Sequence, residues 1–159
     1  MADQQLWLLR HGEAVPHGSK DDFHRELTPR GERQSLAAGQ ALARLGVEFA
    51  ACYSSPLVRA QGTAERACRA LGIEPVAHEE VGMGFDVDVA RELLAAHGDG
   101  DKLLVVGHNP SFEQVVADLT GARIDFKKGA VAAAKVQGTR GELLVLLRPR
   151  ELESLALSS

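Results

Sequence analysis

Cysteine is scarce in this chain, and the sequence has neither a long apolar run nor an excess of basic residues. Two cysteines among 159 residues, Cys52 and Cys68, are too few for a disulfide framework, so we expect both thiols to be reduced and buried. No run approaches the ~20 apolar residues that a membrane-spanning helix needs. The formal net charge of −4 argues against general electrostatic binding to nucleic acid, although it is compatible with a local basic pocket.

The N-terminal sequence "MADQQ" is acidic and polar, and the apolar stretch after it covers only Leu6 to Leu9. This pattern is unlike a signal peptide, and we therefore expect a cytoplasmic protein. With 45% hydrophobic and 25% charged residues, and without repeats or low-complexity tracts, the composition is typical of one globular domain over residues 1–159.

Short apolar runs alternate with longer amphipathic segments along the chain. The apolar runs predict strands at residues 6–10, 49–55, 75–78, 102–108, 130–137 and 142–148, the last two forming a hairpin across Gly138–Gly141. Cap signals and helical periodicity predict helices from Thr28-Pro29 to Leu45, from Ser55-Pro56 to Gly72, over 87–97, and from a capping box of Ser111 and Gln114 onward. The alternation predicts an α/β fold with three αβα layers, in which helices cover both faces of a mainly parallel central sheet.

Polar residues follow three of the predicted strands, at the sheet edge where open α/β folds bind ligands. Arg10, His11 and Gly12 follow the first strand, Arg59 follows the second, and His108 follows the strand "KLLVV". Two permanently charged guanidiniums near helix N-termini suit a tetrahedral dianion such as a phosphoryl group. A histidine among them can act as a nucleophile, because neighbouring cations depress its pKa and keep the imidazole neutral near pH 7.

The segments "LLRHGEA", "SSPLVRAQGTA" and "VVGHNPS" resemble the signature motifs of the histidine phosphatase superfamily, specifically its short, SixA-type phosphohistidine phosphatase branch. The segment "RELTPRG" at 25–31 is similar to the R-x-L-T-x-x-G stretch of that family. The resemblance implies a phosphoglycerate-mutase-like fold with His11 as the phosphorylated nucleophile. It also implies that Arg10, Arg59 and His108 bind the phosphoryl group and take part in catalysis, and that no metal or other cofactor is needed.

The chain departs from the family pattern in two places. Gly62 occupies a position where the family commonly has glutamine, and this glycine is expected to cost the helix about 1 kcal/mol relative to alanine. No motif fixes a general acid; the nearest carboxylates are Glu79, Glu80 and Asp86, of which Glu80 is our candidate. Arg25 is a further candidate for the site, although its charged surroundings are equally typical of a solvated loop.

The absence of a clear general acid favours phosphohistidine as the substrate, because an imidazole leaves phosphorus more readily than an alkoxide does. The stretch from Gly72 to Asp101 is too short for a lid domain, and an uncovered pocket admits a phosphorylated side chain on a folded protein. The predicted function is a phosphohistidine phosphatase that acts on a phosphorylated partner protein, without nucleic acid or membrane; the oligomeric state is not predicted. The alternatives are a general small-molecule phosphomonoesterase or mutase of the same superfamily, and a non-catalytic module that binds phosphorylated residues.

Other motifs have simpler interpretations. "CYSSPLVR" resembles the loop of a cysteine phosphatase, but six residues rather than five separate Cys52 from Arg59. "GDGDK" lacks the later ligands of a calcium loop and indicates a turn, and "KKG" at 127–129 indicates a surface turn near the pocket rim. Two arginines would repel a metal ion from His11 and His108. The other histidines are expected at the surface or in packing: His17, His24, His78 and His97.

Overall fold

The computed structural model describes residues 3–157, so Met1 and Ala2 of the polar N-terminus lie outside the described part. Within this range the strands are β1 (Gln4–Arg10), β2 (Ala51–Ser54), β3 (Pro75–Ala77), β4 (Lys102–Gly107), β5 (Val131–Gln137) and β6 (Arg140–Leu147). The α-helices are α1 (Pro29–Arg44), α2 (Val58–Leu71), α3 (Glu79–Gly82), α4 (Val87–Ala95), α5 (Ser111–Thr120) and α6 (Pro149–Leu157), and a 3₁₀ turn covers Asp22–His24.

The strands of the described region form one sheet in the order β3-β2-β4-β1-β5-β6. The pairs β1–β4, β4–β2 and β2–β3 are parallel, whereas β5 and β6 add an antiparallel hairpin beside β1. The predicted α/β fold with a mainly parallel sheet is therefore confirmed, as is the hairpin. Strand β1 lies inside the sheet, between β4 and β5.

Helices cover both faces of the sheet, and successive residues of β1 contribute to opposite cores. Leu8 packs on the face covered by α4 and α5, in a cluster with Phe112. Leu9 packs on the other face, where α1, α2 and α6 contribute buried residues such as Ala38, Ala64 and Leu152. The end of β1 is consequently fixed from both sides, so the residues that follow it are held in a defined position.

Helix starts agree with the sequence prediction at α1 and differ at α2. The Thr28 hydroxyl caps α1 as predicted, accepting a hydrogen bond from the Gly31 N–H at 3.1 Å. The prediction that Ser55 caps α2 is wrong, because the helix begins at Val58. The Ser55 hydroxyl instead accepts a hydrogen bond from the Leu57 N–H at 3.2 Å, within the turn that leads into the helix.

The predicted capping box of α5 is also wrong. Ser111 is the first residue of the helix and its side chain does not cap it. Asn109 supplies the cap, since its side-chain oxygen accepts a hydrogen bond from the Glu113 N–H at 3.2 Å. Helices α3 and α6 were not predicted. Both are short and bury little: Val81 is the buried residue of α3 and Leu152 that of α6.

Both cysteines are buried and free, as predicted. Cys52 lies inside β2, which agrees with its assignment to the core rather than to a phosphatase loop. Residues 3–157 contain no helix that is both long enough and apolar enough to cross a membrane.

Helices α1 and α2 come into backbone contact at Gly39. A Cβ added there would lie 2.3 Å from the carbonyl oxygen of Ala67, so a side chain fits only if the helices separate. We expect Gly39→Ala to lower the free energy of unfolding by about 1–3 kcal/mol, the usual cost of overpacking, even though alanine is the better helix former. Urea unfolding measures this change.

Gly62→Ala in α2 is the matched control for that prediction. Its added Cβ would meet the Leu27 side chain at 3.2 Å rather than a backbone atom, and a side chain can move. The gain in helix propensity, about 1 kcal/mol, then offsets the crowding, so this variant should stay within about 1 kcal/mol of the parent protein. An equal loss of unfolding free energy in Gly39→Ala and Gly62→Ala would contradict the assigned backbone contact.

Candidate active site

The carboxyl ends of β1, β2 and β4 bring two histidines and two arginines together. Arg10 is the last residue of β1, His11 follows it, His108 follows β4, and Arg59 lies in the first turn of α2. The register pairs Arg10 with Gly107, so the two histidines follow paired positions on adjacent strands. The centroids of their imidazole rings are 5.2 Å apart. All four residues predicted for the phosphate pocket therefore lie at one edge of the sheet.

The His11 ring is held in one tautomer by the turn that follows it. His11 is only 6% exposed, and its Nδ1 lies 2.8 Å from the carbonyl oxygen of Gly12. Because a carbonyl oxygen can only accept a hydrogen bond, Nδ1 carries the proton and Nε2 keeps its lone pair. Glycine is required in this turn, since a Cβ on Gly12 would lie 2.7 Å from the carbonyl oxygen of Gly31.

Both imidazoles are neutral at pH 7. Burial lowers the pKa of His11 to about 3; the hydrogen bond to Gly12 opposes this shift, whereas the positive charges of Arg59 and Arg10 reinforce it. Burial likewise lowers the pKa of His108 to about 4, again with a contribution from the two arginines. The neutral His11 ring therefore offers Nε2 as a nucleophile under ordinary conditions.

These low pKa values predict a loss of stability on mild acidification. The ordinary histidine pKa is about 6.5, so below that pH the unfolded chain binds protons that the folded chain does not. The free energy of unfolding should therefore decrease as the pH falls from about 6.5 to about 5, by about 1.4 kcal/mol per pH unit for each histidine once it is protonated in the unfolded chain. His11→Asn should reduce this slope by the contribution of one histidine, about 1.4 kcal/mol per pH unit. Urea unfolding at a series of pH values measures the slope. Equal slopes for the two proteins would contradict the low pKa of His11.

The Arg10 guanidinium is fixed by the loop between α5 and β5. Its Nη1 donates a hydrogen bond to the carbonyl oxygen of Phe126 at 2.6 Å. The Glu113 carboxylate fixes this loop by accepting hydrogen bonds from the Phe126 N–H at 2.9 Å and from the Asn109 amide at 2.7 Å. Asn109 and Glu113 were not predicted as supporting residues, although their spacing of four residues at a helix start is a usable signal.

The Arg59 guanidinium is fixed by the 3₁₀ turn, through Asp22. Arg59 is 7% exposed; its Nη1 donates to the Asp22 carbonyl oxygen at 2.8 Å and its Nη2 to the Asp22 carboxylate at 3.3 Å. The same carboxylate accepts a hydrogen bond from Nη1 of Arg25 at 2.7 Å, which is the main reason that its pKa is lowered. Arg25 is buried and supports Arg59 through Asp22, a residue that the sequence analysis did not single out.

Each of the two arginines keeps one buried donor without a partner. The Nε atoms of Arg10 and Arg59 are buried and have no hydrogen-bond partner among residues 3–157. An unpaired buried donor on a charged group is costly, and the oxygens of a phosphoryl group are suitable acceptors. His108 is oriented by the Ser55 hydroxyl, which lies 2.7 Å from its Nε2. The pocket is therefore suited to an anion.

Glu80 is not brought to this pocket by any hydrogen bond or ion pair with the described residues. It is exposed on α3, a helix that approaches the pocket through Gly82, where an added Cβ would lie 3.0 Å from the Ser55 hydroxyl oxygen. Residues 3–157 also contain no cluster of three or more histidine, cysteine or carboxylate side chains that could hold a metal ion.

Comparison with known proteins agrees with this geometry. A model of the histidine phosphatase superfamily (branch 1) matches residues 6–82. A protein from Picosynechococcus sp. with no assigned function is 31% identical over 93% of this chain and 98% of its own length. The serine/threonine-protein phosphatase Pgam5 of Drosophila virilis is 45% identical over 62 residues, which are 39% of this chain and 21% of Pgam5.

A solved structure of the protein histidine phosphatase SixA complexed with tungstate is also similar. It has a TM-score of 0.84 and 25% sequence identity, covering 93% of this chain and 99% of that chain. The chain therefore belongs to the histidine phosphatase superfamily and is a phosphatase. Within the superfamily it is of the SixA type.

Proposed function

We propose that this chain, as one histidine phosphatase domain over residues 1–159, removes the phosphoryl group from phosphohistidine on a partner protein. His11 takes the phosphoryl group, and Arg10, Arg59 and His108 bind it. The observation that carries the proposal is the neutral His11 ring, whose Nδ1 is fixed on the Gly12 carbonyl oxygen at 2.8 Å. Beside it lie the half-buried Arg10 and the buried Arg59, whose Nε atoms have no hydrogen-bond partner among residues 3–157.

The proposed reaction has two displacements at phosphorus. In the first, Nε2 of His11 attacks the phosphorus atom while the bond to the leaving nitrogen breaks with its electron pair, giving a phosphohistidine at residue 11. Arg10 and Arg59 stabilise the charge on the phosphoryl oxygens, and the Gly12 carbonyl stabilises the positive charge that the His11 ring acquires. In the second, water attacks the phosphorus, Nε2 leaves with its electron pair, and orthophosphate departs.

The carboxylates near the pocket support phosphohistidine as the substrate. A phosphate ester needs a proton donor for its alkoxide leaving group, whereas an imidazole leaves more readily. Asp22 and Glu113 both have lowered pKa values, caused mainly by hydrogen bonds from Arg25 and from the Phe126 N–H respectively. They are therefore carboxylates rather than proton donors at pH 7, and the exposed Glu80 side chain has no hydrogen bond or ion pair with the described residues that would hold it at the pocket.

The short segment between α2 and β4 supports a protein substrate, because it leaves no room for a lid domain. Residues 72–101 form β3, α3 and α4, and α4 buries Val89, Ala90, Leu93 and Leu94 in the core. A phosphorylated side chain on a folded partner could therefore reach His11. The two reduced cysteines support a cytoplasmic location.

Turnover of two matched peptides tests the substrate. The peptides share one sequence and carry either phosphohistidine or phosphoserine, and kcat/KM is measured by orthophosphate release. We expect kcat/KM to favour phosphohistidine by about 100-fold or more, because general acid catalysis of ester cleavage contributes about 10²–10⁴-fold and the described residues hold no carboxylic acid at the pocket by a hydrogen bond. Preference for phosphoserine would instead assign a phosphomonoesterase. Binding of both peptides without orthophosphate release would assign a non-catalytic module.

A further inference from the structure

A basic groove lies beside the phosphate pocket. It has a volume of about 550 Å³ and is lined by the cationic side chains of Arg10, Arg30, Lys127, Lys128, Arg148 and Arg150. Glu13 is the carboxylate among the residues that line it. These residues come from the end of β1, the start of α1, the turn before β5 and the start of α6, so the groove is assembled from distant parts of the chain.

The groove keeps an excess of positive charge after its ion pairs are counted. Glu13 lies 3.9 Å from Arg30, and Lys127 pairs with Asp125 at 3.0 Å. Arg148 and Arg150 share the Glu151 carboxylate, at 2.8 Å and 3.7 Å respectively. Three carboxylates thus face six cations, and Lys128 has no ion pair with the described residues. This local excess of positive charge contrasts with the net charge of the whole chain, which is −4.

The groove is fixed rigidly relative to the nucleophile. The Gly129 N–H lies 3.0 Å from the carbonyl oxygens of both Arg10 and His11, and the Arg10 N–H donates to the Ala130 carbonyl oxygen at 3.1 Å. Lys127 and Lys128 therefore stand on a turn that is hydrogen-bonded to the catalytic segment. Arg10 belongs to both sites, so a ligand in the phosphate pocket lies at one end of the groove.

We propose that this groove binds a carboxylate-rich segment of the protein substrate, adjacent to its phosphohistidine. The inference depends on the proposed function, because it assigns the substrate of the same site. Exposed cations in an open groove form ion pairs that favour encounter and select between partners. A peptide segment with a few acidic residues fits within the groove, whereas a long polyanion such as a nucleic acid would extend onto a surface whose remaining charge is negative.

The test uses two phosphohistidine peptides that differ only in flanking residues, acidic in one and their neutral amides in the other. Exposed ion pairs contribute modestly each, so we expect the wild-type protein to prefer the acidic peptide about tenfold in kcat/KM. The preference should decline in about 0.5 M salt, where charges are screened within a few ångströms. The double variant Lys128→Ala, Arg150→Ala should reduce the preference to about threefold or less.

The matched control is Arg69→Ala with Arg140→Ala, which removes the same charge from exposed positions outside the groove and should keep the full preference. Equal preference in all three proteins, or none in the wild type, would overturn the inference while leaving the phosphatase assignment intact. If neither peptide is hydrolysed, the proposed function fails. Fluorescence anisotropy with the unphosphorylated acidic peptide then still tests the groove. The inference requires that this peptide bind the wild-type protein more tightly than the Lys128→Ala, Arg150→Ala variant.

Discussion

His11→Ala is expected to lower kcat for a phosphohistidine peptide by about 10⁴-fold or more, the scale on which enzymes lose activity when their nucleophile is removed. The Nε2 lone pair is the attacking group in the proposed reaction, and its tautomer is set by the 2.8 Å contact between Nδ1 and the Gly12 carbonyl oxygen. The neighbouring His108 does not replace it as the attacking group, because its Nε2 lies 2.7 Å from the Ser55 hydroxyl. Steady-state orthophosphate release measures the loss.

The matched control for this variant is His24→Ala. His24 is exposed on the 3₁₀ turn, where its ring pairs with Asp21, and it should keep kcat within about twofold because surface substitutions usually have small effects. Retention of more than a few per cent of the activity by His11→Ala, in a protein that unfolds like the wild type, would exclude His11 as the nucleophile.

Arg59→Ala is expected to lower kcat/KM by about 10³-fold, within the range found when an arginine that stabilises a transferring phosphoryl group is removed. Arg59 is 7% exposed, and its guanidinium is held by Asp22, with Nε left as an unpaired donor among the described residues. Arg59→Lys should recover only part of the loss, since an ammonium group cannot keep the two hydrogen bonds to Asp22 and also present a fork to the phosphoryl oxygens.

Arg66→Ala is the matched control for Arg59, two helical turns along α2. Arg66 pairs with Glu32 at 3.5 Å, away from the four pocket residues, and its loss should change kcat/KM by less than about threefold, in line with the small worth of exposed ion pairs. If Arg59→Ala and Arg66→Ala behave alike, Arg59 does not bind the phosphoryl group.

The fold and the four central pocket residues could be predicted because their signals are local. Continuous apolar runs marked the buried strands β1 and β4, and the polar residues directly after those strands marked the ligand edge. The cap of α1 was also predicted from adjacent residues. The start of α2 was not, because the Ser55 hydroxyl accepts a hydrogen bond from Leu57 and lies against His108. The second of these contacts joins the ends of two adjacent strands, β2 and β4, and leaves no trace in sequence spacing.

The supporting residues of the pocket were harder to predict, since their roles depend on contacts between distant segments. Asp22 lies in a charged segment whose sequence indicates a solvated loop. Its carbonyl oxygen nevertheless accepts a hydrogen bond from Arg59, which is 37 positions away in the sequence. The Phe126 carbonyl that holds Arg10 is 116 positions away. Helix α6 was not predicted because it is short and amphipathic. Its buried residue, Leu152, is buried only through packing in the folded protein, which the sequence around it does not indicate.

Trapping the phosphorylated enzyme tests the central claim most directly. The protein is mixed with a phosphohistidine peptide, denatured rapidly during turnover, and digested under alkaline conditions for mass spectrometry, with Arg66→Ala as a positive control and His11→Ala as a negative one. The account predicts a phosphoryl group on His11 that is lost in acid. Phosphorylation of another residue, or full turnover with His11 never modified, would contradict it.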